Sequence, residues 1–151
     1  MYGKVEMSIS VSDLKPGFSL VDTKTISTEE VLSFCRRERE LEGRPIDQKN
    51  IHTDEEVARS YGLRGVVAPG VQTMPYIWDL LREAFGERWT RGGKLAVTFT
   101  NMVCGGDTLT TQAVVREPAE NEPTNRLYLD TWMENQQGEK VIVGKASVPI
   151  D

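Results

Sequence analysis

The chain has 151 residues, a formal charge of −5 and an apolar share of 38%. That is enough chain to bury a core without metals or disulfides, and the acidic balance argues against a nucleic-acid surface, which is usually basic. No stretch approaches the roughly 20 apolar residues of a membrane span, and the opening MYGKVEMSIS lacks the apolar core of a secretory leader, so a cytoplasmic setting is expected.

In chain order, Lys15-Pro16-Gly17 is a turn signal, and a strand is expected from Phe18 to Ile26. Ser27 and Thr28 before Glu30 form a capping-box pattern, opening a helix that runs to about Leu41. Val31, Phe34, Cys35 and Glu38 share its short inner stripe, while Arg36, Arg37 and Arg39 read as a solvated face. Gly43 to Asn50 has no periodicity and reads as a loop. Thr53 and Glu56 form a second capping box, for a short helix that Gly62 ends. The loop Leu63-Arg64-Gly65-Val66-Val67-Ala68-Pro69-Gly70 follows. The most regular helix then runs from Gly70 to Phe85, with Gly86 as its stop. Its Val71, Met74, Ile77, Trp78, Leu81, Ala84 and Phe85 recur by threes and fours, which marks Met74 and Trp78 as core rather than ligand contacts. At its length, about 24 Å, it can cross a small sheet.

Strands are expected near Leu95 to Val103, Thr108 to Arg116, Arg126 to Glu134 and Lys140 to Val148. Gly105-Gly106-Asp107, a polar loop from Glu117 to Asn125 and the hairpin signal Gln137-Gly138 separate them. No repeat, linker or low-complexity tract breaks the chain, so residues 1–151 read as one α+β domain, an antiparallel sheet with one long apolar helix against it. Cys35 and Cys104 lack metal-ligand spacing and read as small buried residues.

The chemistry concentrates in DQKNIHTDEEVARSYGLRGVVAPG, from Asp47 to Gly70. The sole histidine, His52, lies in a polar loop five positions after Asp47. An imidazole can accept and donate protons near neutral pH, and a carboxylate within reach could activate water or orient the ring. A lone histidine is nevertheless more often a surface or satisfied structural group. Ala68-Pro69-Gly70 enters the long helix, whose N-terminus exposes unpaired N–H groups that could hold a carbonyl gaining enolate charge. An ordinary loop-to-helix junction would look the same.

The ordered set of residues resembles the MaoC-like family, which includes (R)-specific enoyl-CoA hydratases. The family motif is approximately D-x-N-P-[LIV]-H, then an alanine in the next helix and an A/H-G turn opening the central helix. Asp47, Ile51 and His52 match it, Thr53-Asp54 continues it, and Ala58 and Gly70 take the alanine and turn-glycine positions. Gly105-Gly106-Asp107-Thr108-Leu109 is similar to the later G-D-x-L turn. The resemblance implies a hotdog fold, with the sheet wrapped around the long helix, and a homodimer or higher homo-oligomer. It implies an acyl substrate carried on CoA or an acyl-carrier protein, and no metal or organic cofactor. Asp47 would take a proton from water, His52 would hold the same water and help protonate the α-carbon, and the Gly70 N–H would bind the thioester oxygen.

The chain departs from the motif at Lys49 and Asn50, which replace Asn and Pro. Asn50 is a candidate for the missing amide contact, Gln72 or Thr73 for a polar contact from the central helix. Trp78 stands where that helix often carries a serine, in volume an acyl chain could otherwise use. Arg64, Arg91 and Lys94 lie where phosphates or an acidic carrier could pass, but exposed basic residues are common. The competing readings are a hotdog enzyme of altered chemistry, such as a thioesterase or specialised dehydratase, and a non-catalytic acyl-binding subunit.

Overall fold

The computed structural model describes residues 10–151; the leader reading of the opening segment falls on residues 1–9, outside them. Strand β1 (Ser19–Thr25) follows the Lys15-Pro16-Gly17 turn. Ser27 then caps α1 (Thr28–Glu42) with a complete capping box: its hydroxyl accepts the Glu30 N–H at 3.1 Å, and its own N–H donates to the Glu30 carboxylate at 2.7 Å. Gly43, at φ 66°, closes the helix in the left-handed conformation that only glycine adopts without strain. One residue of the expected solvated face is buried instead. Arg39 turns inward because its guanidinium donates to the Pro45 carbonyl at 2.8 Å, tying α1 to the following loop.

The second helix, α2 (Glu55–Ser60), begins later than its sequence signal. Asp54 is the N-cap, accepting the Val57 N–H at 2.9 Å. Thr53 does not serve: its hydroxyl accepts the Asn50 N–H at 3.0 Å and donates to the Gln48 carbonyl at 2.9 Å, so it is turned to the preceding loop. Strand β2 (Val67–Ala68) then leads into α3 (Gly70–Phe85), the expected central helix. A short helix absent from the sequence reading, α4 (Glu87–Gly92), follows.

The segment expected to form one strand to Val103 divides into β3 (Lys94–Phe99) and β4 (Val103–Cys104). The chain bends between them: the Thr100 N–H donates to the Val141 carbonyl at 2.9 Å, and the Asn101 side chain to the Lys140 carbonyl at 2.8 Å. Strands β5 (Thr108–Arg116), β6 (Arg126–Glu134) and β7 (Lys140–Pro149) lie where they were expected. The main sheet is antiparallel with order β1-β5-β6-β7-β3, while β2 and β4 pair separately.

Side-chain alternation decides which sheet face meets α3. Leu109, Thr111, Ala113 and Val115 of β5 point inward by the two-residue period of a strand, with Leu129 and Met133 of β6 beside them. Ile77 and Leu81 of α3 are fully buried, and the helix packs on β1, β3, β5 and β6. A sheet wrapped around one long helix is the hotdog arrangement. Trp78 is not core: it is 36% exposed. Trp89 of α4 is fully buried in its place, and the two rings meet edge-on with centroids 4.9 Å apart. Cys35 and Cys104 are both buried free thiols.

Candidate active site

The loop between α1 and α2 is irregular but closely bonded. Asn50 Oδ1 accepts the His52 N–H at 2.8 Å, and the Asn50 carbonyl accepts the N–H groups of Thr53 and Asp54 at 3.1 and 3.0 Å. The Asn50 N–H donates to Thr53 Oγ1 at 3.0 Å. A short amide folded back on its own backbone is an Asx turn, which holds the chain much as a proline ring would. Lys49, the other departure from the motif, reaches Asp54 Oδ2 at 3.4 Å and so braces the start of α2.

This turn presents His52 to β2. The ring Nδ1 lies 2.7 Å from the Val67 carbonyl oxygen. A carbonyl only accepts, so Nδ1 carries the hydrogen, and in the neutral ring Nε2 keeps its lone pair. The Val67 N–H completes the connection by donating to the Ile51 carbonyl at 2.8 Å. The ring is half-buried, with one nitrogen committed and the other able to accept.

Asp47 sits on the exposed turn before Asn50, and its carboxylate makes no hydrogen bond or ion pair among the described residues. A groove of about 290 Å³ adjoins this loop, lined by Glu29, Leu32, Ser33 and Arg36 of α1 and by Ile46 and Thr53, which bracket Asp47 and His52 in the chain. Gly70 opens α3 after Pro69, which provides no side-chain cap. The Gln72 N–H turns back to the Pro69 carbonyl at 2.9 Å, leaving the Gly70 N–H at the open end of the helix. A Cβ on Gly70 would stand 2.6 Å from the Phe99 ring, so glycine is what allows that half-exposed ring to lie over the helix start.

Gln72 and Thr73 make their hydrogen bonds elsewhere. Gln72 Nε2 donates to the Glu30 carbonyl of α1 at 3.1 Å, while its Oε1 is buried without a partner among the described residues. Thr73 is buried, with its hydroxyl 3.5 Å from the Gly70 carbonyl of its own helix. Neither shares a hydrogen bond with the Asp47–His52 loop among the described residues.

Arg64 also has a partner that its spacing did not reveal. Its guanidinium makes a bidentate pair with Asp107, one arm at 3.0 Å. Asp107 is completely buried and also accepts the Cys104 N–H at 2.9 Å and the Gln136 amide at 3.1 Å. Burial pushes the Asp107 carboxyl up, but the Arg64 guanidinium, the Cys104 N–H and the Gln136 amide outweigh it and hold the group below its ordinary value. The two residues lie 43 positions apart, so only the folded chain brings them together.

Residues 44–131 match the family model of the MaoC like domain. The fold is similar to that of the R-hydratase PhaJ1 from Pseudomonas aeruginosa in the unliganded form, at 22% identity and a TM-score of 0.68, covering 91% of this chain and 83% of that one. An (R)-hydratase from A. caviae involved in PHA biosynthesis aligns at 21% identity and a TM-score of 0.67, covering 92% of this chain and 98% of that one. A chain of the ChsH1-ChsH2 complex from Mycobacterium tuberculosis aligns at 11% identity and a TM-score of 0.67, covering 91% and 98%. At these identities the likeness is one of fold. No curated protein matches the chain.

The Arg64–Asp107 pair gives stability a definite pH dependence. A carboxyl held below its unfolded value stabilises the fold above the unfolded value, near about 3.9, and that contribution is lost as pH falls through the folded value. Breaking the pair by Asp107→Asn should cost about 3 kcal/mol near neutral pH, the low end for buried pairs because Arg64 is partly exposed. Denaturant unfolding should show this difference shrinking as pH is lowered below about 4 and on through the folded value. A difference that stays constant would mean that the charge of Asp107 does not carry the effect.

Proposed function

The chain belongs to the MaoC-like hydratase and dehydratase family, and on that premise we propose that it adds water to an enoyl thioester or removes it from a 3-hydroxyacyl thioester. The acyl group is carried on CoA or on an acyl-carrier protein. The observation that carries this reading is the bond from His52 Nδ1 to the Val67 carbonyl. It supports, for the neutral ring, the tautomer whose Nε2 can accept a hydrogen bond from water, as an acid/base residue requires.

In hydration, Asp47 takes one proton of the water and His52 Nε2 holds the other. The water oxygen bonds to C3 as its O–H bond breaks, and the proton held by the pair is delivered to C2. The Gly70 N–H receives the thioester oxygen while that oxygen carries enolate charge. Dehydration is the same sequence reversed. Asn50 acts by fixing the backbone of His52 rather than by touching the substrate. Gln72 and Thr73 shape the first turn of α3 beneath the Gly70 N–H.

Trp78 is the specificity element in this reading. It lies eight residues beyond Gly70, about 12 Å along the helix, and its ring is braced by Trp89. A fixed indole there favours short acyl chains. The assembly is a homodimer or higher homo-oligomer: Val71, Phe99 and Met102 are exposed apolar side chains around the start of α3, beside the free edge of β3.

Three measurements test the proposal. A short enoyl-CoA should be hydrated, with loss of the conjugated chromophore, and Asp47→Asn or His52→Ala should lower kcat about 10²- to 10⁴-fold. Full activity in both variants would remove the assigned roles, and release of free thiol instead of hydration would identify a thioesterase. Trp78→Ala should raise kcat/KM for long-chain over short-chain substrates about tenfold or more; an unchanged ratio would place the acyl chain elsewhere. Light scattering should give at least twice the chain mass for the wild type and a lower mass for Phe99→Lys with Met102→Lys. A monomeric wild type would refute the assembly.

A further inference from the structure

A histidine acting through Nε2 depends on whatever keeps the hydrogen on Nδ1. Here that is one backbone carbonyl, Val67 O. Val67 belongs to a strand of two residues outside the main sheet. So short a strand has little rigidity of its own. Its position is set by β4, of equal length, and by the Gly105 N–H, which donates to the Val66 carbonyl at 2.8 Å. Both supports belong to the turn from Cys104 to Asp107.

That turn is organised by a single carboxylate. Asp107 Oδ2 accepts the Cys104 N–H at 2.9 Å, which fixes the end of β4. Its backbone carbonyl accepts the Ile26 N–H at 3.0 Å, joining the turn to the end of β1. The Gln136 amide adds the β6–β7 hairpin at 3.1 Å. The fourth connection is Arg64, three residues before Val67 on the segment that becomes β2. The ion pair therefore clamps both strands of the small sheet at the end where Val67 faces Cys104. A buried ion pair is weak grounds for a role in stability alone, because an apolar replacement is often as stable; fixing one arrangement among several is the better-attested use.

We propose that Arg64 and Asp107 are positioning residues for His52. They hold β2 so that the Val67 carbonyl keeps the imidazole in its Nδ1–H tautomer, with Nε2 as the base. The inference rests on the reading of His52 as an acid/base residue. It adds that the protonation pattern of the ring is set by an ion pair that touches neither the ring nor the substrate.

Because His52 is the sole histidine of the chain, labelling histidine with ¹⁵N gives one ring and two signals. At a pH where the ring is neutral, the full-length wild type should show a protonated Nδ1 and an unprotonated Nε2. The double variant Arg64→Met with Asp107→Asn removes both charges together and so avoids a lone buried charge. In this folded variant the Nε2–H tautomer should rise to about a third of the population or more, and kcat should fall about ten- to a hundredfold with little change in KM. Arg64→Lys keeps the charge but loses the fork, and should fall between the two.

Unchanged ring signals and unchanged kcat in the folded double variant would overturn the proposal, leaving the pair as a fold staple. A wild-type ring that is mainly Nε2–H would overturn it as well. A wild type without hydratase activity whose ring still responds to the double substitution would support the positioning role while refuting the functional reading. An active wild type with an unresponsive ring would do the reverse.

Discussion

Both polar groups of the Val67 peptide are engaged by the Ile51–His52 segment: the N–H bonds the Ile51 carbonyl, and the carbonyl takes the His52 ring. Without that peptide, an irregular loop would have to hold the His52 ring alone. With it, the loop is fastened to a strand, and the strand to a buried carboxylate by way of Arg64. The long helix begins three residues after Val67, so the same short stretch sets the ring and the start of α3. The five-stranded sheet provides a rigid bed, and the small sheet converts it into the placement of a few atoms.

The elements that could be read from sequence are those governed by local periodicity or local capping. The α3 stripe, the Ser27–Glu30 box and the alternation in β5 all report contacts within a few residues or along one face. What escaped was decided by competition with distant groups. Thr53 carries the N-cap pattern, yet Gln48 claims its hydroxyl, and Asp54 caps α2 instead. Arg39 lies in a charged run, yet Pro45 offers it a carbonyl. The expected strand through Val103 ends early because Thr100 and Asn101 reach the β7 backbone. Trp78 fits the apolar spacing, but the stripe is wider than the sheet that covers it.

The candidate site was legible in the same uneven way. His52, Asp47 and Gly70 stand out by spacing and by resemblance to a family motif. The tautomer of His52 does not, since it depends on a carbonyl fifteen residues away. The departure at Lys49-Asn50 proves to be a substitution of means. A proline would restrict the chain by its ring, whereas Asn50 restricts it by one side-chain bond to the His52 N–H and several main-chain hydrogen bonds.

The contact between Gly70 and Phe99 has a consequence for how such sequences can change. The ring occupies the space that any Cβ at position 70 would need. A residue larger than glycine at position 70 would push that ring aside, while a smaller residue at position 99 would leave the space open. The two positions are coupled through one contact, although 29 residues separate them and one lies on a helix, the other on an edge strand. A side chain at position 70 therefore displaces the half-exposed Phe99 ring from its place over the start of α3.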